Sequence, residues 1–194
     1  MKIKTILANC KSAKRFYVLD GGDCQFLGDG AAFYAMYGMP TLEKETVFRL
    51  SDVPREKEND FIFTEESVPE RFNFTDYDAG EEIIEHSFPV VKSGGTLLLP
   101  VRTGGINVCF IPLKYIKPFS DDEGAVICRR STKAGSPYIV VKVGITLVAV
   151  IVPVMPSQSF ARDIVMLGNF TYGTYKNLVE GDSEGEETDN ADVR

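Results

Sequence analysis

Apolar residues recur at Ile3, Ile6, Leu7 and Cys10, the i, i+3, i+4, i+7 spacing of a single helical face, and predict a helix over Met1–Lys14. From Arg15 the period shortens. Extended runs at Arg15–Leu19, Cys24–Leu27 and Ala31–Met36 are separated by the turn formers Asp20-Gly21-Gly22-Asp23 and Gly28-Asp29-Gly30. The same order returns near the other end: a helix over Pro112–Phe119, then strands at Ala125–Arg129, Tyr138–Val143 and Thr146–Val152, the last two meeting at Gly144. Each series then runs into a Met-Pro pair, Met39-Pro40 and Met155-Pro156. A supersecondary unit stated twice is an architectural signal. It predicts an α+β fold, mainly antiparallel sheet, made of two pseudo-symmetric helix-β-β-β units over residues 1–53 and 95–156. Residues 54–94 are then an irregular insertion, and residues 1–178 a single domain.

Weaker patterns fill the rest. Thr41 with Glu43 and Glu45 predicts a helical turn with acids at its positive end, and Val47–Leu50 either finishes it or becomes extended. Phe61–Phe63 reads as a strand, Glu65–Phe72 as a helical turn and Asn73–Glu82 as a loop. Thr96–Val101 and Ile106–Ile111 predict a hairpin around Thr103-Gly104-Gly105. Ser157 or Ser159 caps a terminal helix with Phe160, Ile164 and Leu167 on one stripe, ended by Gly168 or Gly173.

Composition changes the picture at one place. The 194-residue chain is 44% hydrophobic and 25% charged, ordinary for a globular protein. Its net charge is −7, but seven acids against one arginine put −6 of that between Glu180 and Arg194 and leave about −1 for everything before. Residues 179–194 are too polar to offset the entropy of ordering and are expected to be a disordered acidic tail, solubilising or acting as a docking or DNA-mimicking segment. Cys10, Cys24, Cys109 and Cys128 form no CxxC pair and lie in apolar helix or strand positions. They are expected buried and reduced, in a cytoplasmic protein. Val143–Ala161 carries no charge, yet Gly144, Pro153, Pro156 and its β-branched residues suit a buried strand and exclude a membrane span.

Acid-base or metal chemistry would have to start from Asp20, Asp23, Asp29 and His86. Asp-Gly is what a tight turn requires, His86 stands alone, and no phosphate-binding glycine loop or calcium loop is present, so no catalytic residue, metal or cofactor is expected. The basic residues say more. Lys2, Lys4, Lys11, Lys14 and Arg15 crowd the first fifteen positions without an acid. Lys114 and Lys117, three apart, occupy the second predicted helix opposite Leu113 and Ile116. Lys4, Lys11, Lys14, Lys114 and Lys117 are the candidate nucleic-acid contacts. Lysines of this kind neutralise phosphates without reading bases; the alternative is a solvated helix face. Arg129, Arg130 and Lys133 are assigned to solvent.

Phe110-Ile111-Pro112-Leu113-Lys114-Tyr115-Ile116-Lys117-Pro118 resembles the helix entry of DNA sliding clamps, the processivity-factor family, and Val148–Pro153 resembles that family's closing strand. Gln25–Ala31 with Tyr37–Pro40, and Tyr138–Gly144, are similar to segments of uncharacterised phage and prophage proteins. The resemblance implies a non-enzymatic module of DNA metabolism whose partners are duplex DNA or replication proteins, with helices facing the duplex. The alternative from another class is a β-rich interaction or assembly protein without DNA binding. A hydrolase using the turn aspartates and His86 is a third reading. A ring would need several copies joined at strand edges, and Pro100, Pro112, Pro137 and Pro153 favour a monomer or dimer instead.

Overall fold

The computed structural model describes residues 1–84, 89–104 and 107–169; His86 and the acidic tail lie outside the described residues. The fold is α+β with mostly antiparallel sheet, as the patterning predicts. Helix α1, Ile3–Ala13, is followed by β1 (Arg15–Asp20), β2 (Gln25–Gly28) and β3 (Ala32–Ala35). Near the other end β9 (Ala125–Ser131), β10 (Pro137–Val143) and β11 (Thr146–Ile151) form a second meander. The two meanders meet edge to edge. β3 pairs β11 antiparallel, with Tyr34 opposite Ala149 and Phe33 opposite Val150. Between them lie helix α2 (Lys44–Leu50), β4 (Ile62–Ser67) and β5 (Glu82–Ile83). The eight-stranded sheet runs β4-β1-β2-β3-β11-β10-β9-β5, and only the β1–β4 pair is parallel.

Residues 54–94 therefore do more than interrupt the meanders, because β4 and β5 extend the sheet at its two ends. Glu65 to Ser67 continue β4, where a helical turn was expected: Val18 pairs with Glu65 and Asp20 with Ser67, and ladder bonds outweigh local preference.

Both faces of the sheet are covered, which explains why β1 and β10 read as continuous apolar runs. Phe16, Val18, Tyr34, Ile139 and Ile151 point to one face, against Ile6, Leu7 and Cys10 of α1 and Phe48 of α2. Leu19, Phe26, Phe33, Tyr138 and Val140 point to the other, beneath Phe72 and Phe74 of the 68–78 segment. Each such side chain, withdrawn fully from water, contributes about 1.5–3 kcal/mol. Gly28 is fixed by close approach: a Cβ there would sit 1.9 Å from the Ala32 carbonyl oxygen. At the other hairpin Gly144 turns with φ of +62°.

A three-stranded sheet, β6 (Val91–Ser93), β7 (Thr96–Gly104) and β8 (Asn107–Pro112), contains the expected hairpin. Its Leu99, Val101, Cys109 and Ile111 face the main core, while Leu98, Val108 and Phe110 face helix α3, residues 158–169. The Ser157 hydroxyl caps α3 through the Phe160 amide at 3.4 Å. The buried stripe of α3 is Ile164 and Val165, with Phe160 stacked on Phe110 at 5.5 Å; Leu167 is exposed, and the helix passes through Gly168.

The predicted Pro112–Phe119 helix is two 3-10 turns, Leu113–Tyr115 and Lys117–Phe119. Pro118 has no N–H with which to reach back to the Lys114 carbonyl, so an α-helix cannot continue through it. That carbonyl accepts instead from Asn9 Nδ2 of α1, at 3.0 Å.

Candidate nucleic-acid interface

Helix α1 and the 3-10 turns lie side by side on one face of the large sheet, and a polar cluster ties the turns to the β2–β3 hairpin. Asp29 closes the β2–β3 turn, its Oδ1 accepting from the amides of Ala31 (3.0 Å) and Ala32 (3.1 Å). Its Oδ2 accepts from the Tyr115 hydroxyl at 2.8 Å and lies 3.6 Å from the Lys114 ammonium. The Tyr34 hydroxyl donates to the Tyr115 carbonyl at 3.0 Å. Burial, reinforced by the Asp29 charge, pushes the Tyr34 and Tyr115 phenols well above their ordinary range, and the same causes push the Cys10 thiol up to about 12. These groups stay protonated at neutral pH. The turn aspartates are structural where their contacts are seen: besides Asp29, Asp20 Oδ1 accepts from the Gly22 amide at 2.9 Å. Among the described residues no group of three or more His, Cys, Asp or Glu is placed to hold a metal ion.

The five candidate lysines fall in two rows. Residues of an α-helix are spaced about 100° apart, so Lys4 and Lys11 share one flank of α1, roughly 150° from Asn9, which faces the 3-10 turns. Exposed Ala8 and Ser12 form the ridge between. Lys11 bridges to α2, donating to the carbonyls of Ser51 (3.1 Å) and Asp52 (2.9 Å). Lys114, besides its contact with Asp29, lies 4.6 Å over the Tyr115 ring. Lys4, Lys14 and Lys117 are exposed and, among the described residues, make no ion pair or side-chain hydrogen bond. Lys14 follows α1 directly, in the left-handed conformation with φ of 53°. Lys2 adds a charge to this side, although Asp121 takes its ammonium at 2.6 Å.

Beside Lys114 and Lys117 a groove of about 630 Å³ opens between the 3-10 turns and the β6–β7 turn, with Leu97, Leu113 and Ile116 in its wall. Lys92 joins it by register alone: it stands opposite Leu97 in the β6–β7 ladder, and opposite residues of an antiparallel pair share a face. Only pairing reveals that placement.

Arg130, assigned to solvent from its sequence, is fully buried. Its guanidinium grips Glu81 at 2.6 and 2.7 Å and donates to the carbonyls of Asn73 (3.0 Å), Thr75 (2.8 Å) and Asp76 (3.2 Å). Lys142 holds the other Glu81 oxygen at 2.9 Å. Arg129 pairs with Glu82 at 2.6 Å. A strand's alternation says which residues share a face, and here the segment covering that face is a loop with no periodic signal of its own.

Among the described residues no helix is long and apolar enough to cross a membrane. Comparison with protein-family models, curated proteins and solved structures finds no match to this chain.

Proposed function

We propose that this chain is a non-enzymatic module of DNA metabolism, of phage or prophage type and clamp-like build, that rests the α1 and 3-10 face on the phosphates of duplex DNA. In this reading the two meanders, related about the β3–β11 pair, are the two pseudo-symmetric units. The 3-10 turns stand in for the second helix. The observation that carries the reading is the basic face itself. Lys4 stands on the flank of α1 away from Asn9, Lys14 just past the end of that helix and Lys117 on the 3-10 turns, all three exposed. Point charges so placed can meet phosphates without touching base edges.

Fluorescence anisotropy with a duplex of arbitrary sequence tests this. Wild type is expected to bind at low salt with affinity falling steeply as salt rises, and K4E/K14E/K117E is expected to flatten that slope by about 3, roughly one for each phosphate no longer neutralised. Absence of wild-type binding at low salt sinks the reading.

A second reading, an interaction or assembly protein, is favoured by a different surface. Tyr37 (50% exposed), Tyr77 (77%) and Ile145 (82%) gather around Leu147, whose carbonyl accepts from the Tyr37 hydroxyl and whose amide donates to Asp76. Protein partners lost on Y37A/I145S, with no duplex binding, would favour it. Ring closure has little support. The outer strands of the large sheet are β4 and β5, so Pro100, Pro112, Pro137 and Pro153 lie away from its free edges, but Glu65 and Glu66 charge the β4 edge. A monomer or dimer in light scattering is the expected result.

A further inference from the structure

The groove beside the 3-10 turns is apolar along its floor and basic at both rims. Leu97, 49% exposed, together with Leu113 and Ile116 makes the floor. Lys114 and Lys117 stand on one side, and Lys92 on the side of the β6–β7 hairpin. The nearest acids are Asp29, which binds Tyr115 and the β2–β3 turn and already lies 3.6 Å from Lys114, and Asp121, which holds Lys2; Lys92 and Lys117 are paired with neither. A complementary occupant carries apolar side chains followed at once by carboxylates.

This chain contains such a segment, Leu178-Val179-Glu180-Gly181-Asp182, heading the run of seven acids that ends at Asp192. Its tether has the required length. Asn169 is held by Arg102, whose guanidinium donates to Asn169 Oδ1 at 2.6 Å. Arg102 lies six positions along β7 from Thr96 at the groove, roughly 20 Å at about 3.3 Å per residue. Leu178 follows Asn169 by nine residues, which reach about 30 Å when extended.

We propose that Leu178–Asp182 docks in this groove within the same molecule, Leu178 and Val179 on the floor and Glu180 and Asp182 against Lys92, Lys114 and Lys117. A tether of nine residues gives an effective concentration in the millimolar range, so contacts too weak to hold a separate peptide suffice. Docking covers Lys117, one of the lysines assigned above to duplex phosphates; that overlap rests on the duplex-binding reading, and the docking does not.

Acylation of lysines by limiting reagent, read site by site by mass spectrometry on the full chain without DNA, tests the docking. Wild type is compared with a variant whose seven tail carboxylates are replaced by amides. Lys92 and Lys117 are expected to react at least about threefold faster in the amide variant, as for a segment docked about two-thirds of the time, while Lys4 and Lys14 are unchanged. In wild type the protection should disappear at about 0.5 M salt, where the Debye length falls to roughly 4 Å. It should also persist on tenfold dilution. Equal rates in the two chains overturn the docking, as does protection spread evenly over Lys4 and Lys14. Protection that vanishes on dilution overturns it too, since the segment then comes from a second copy. Duplex binding with even lysine rates would sink the docking alone, and intact protection without duplex binding would sink the clamp reading alone.

Discussion

The two meanders have the same strand order but are held by different means. In the first, β1 is covered by a regular helix, α1, and its outer neighbour β4 lies parallel to it. In the second, β10 and β11 share a core with two 3-10 turns, and the neighbour of β9 is the two-residue β5, antiparallel to it. Apolar packing holds both halves, whose strands are alike buried. The second adds a buried charge, Arg130, which fastens the 73–82 segment across the sheet. Similar element order thus does not imply similar energetics, because covering elements supply what the strands leave open.

Removing Arg130 is the largest expected break in the comparison. R130A leaves three carbonyls and the Glu81 carboxylate short of partners, and should lower stability by about 3–5 kcal/mol in denaturant unfolding. R15A, at an exposed position of the matching strand β1, should stay within about 0.5 kcal/mol. Equal losses would show that the halves are held alike.

Ile6, fully buried on the sheet-facing side of α1, probes the apolar packing of the first half. I6A should cost about 2–5 kcal/mol by the same measurement, from lost transfer free energy and the cavity left behind. A loss below 1 kcal/mol would mean that α1 is only loosely attached, with the ~1 kcal/mol of an average substitution as the yardstick.

The joint between the halves should be weaker. Y115F removes the 2.8 Å hydrogen bond to Asp29 and is expected to cost about 1.5–3 kcal/mol, the range for bonds to a charged group. An unchanged unfolding midpoint would make the Asp29 cluster incidental to the packing of the 3-10 turns.

The smallest effect concerns acid. Burial raises the Glu81 carboxyl, but hydrogen bonds from Lys142 and Arg130 outweigh it and leave the group below its ordinary range. A folded-state value below the unfolded one gives stability that is fully present above the unfolded pKa of about 4.3 and is lost as pH falls through the lowered folded value. Urea midpoints should therefore fall more steeply below about pH 4.3 in wild type than in E81Q, the unfolded carboxyl titrating there. Parallel curves would remove Glu81 as the acid-sensitive contact of the second half.

The sequence by itself determined α1, both meanders, the β7–β8 hairpin and the burial of Cys10, Cys109 and Cys128, because each rests on local periodicity and turn chemistry, whereas Cys24, also expected buried, is only half-buried beside the β1–β2 turn. That both sheet faces are covered came only with the structure, since apolar-in alternation was expected along Phe16–Leu19 and Tyr138–Val143. The sequence placed five lysines on exposed positions, but not in which rows, and not that Lys11 and Lys114 already hold α2 and Asp29. Only the tertiary structure decided those partners, the pairing of β4 and β5, the approach of Lys92 to the groove and the burial of Arg130. The physical reason is range. Helical and strand periods report which side of an element is apolar within a few residues, whereas what a charge meets depends on segments about fifty positions away, as Arg130 and Glu81 are, brought together by the packing of the whole.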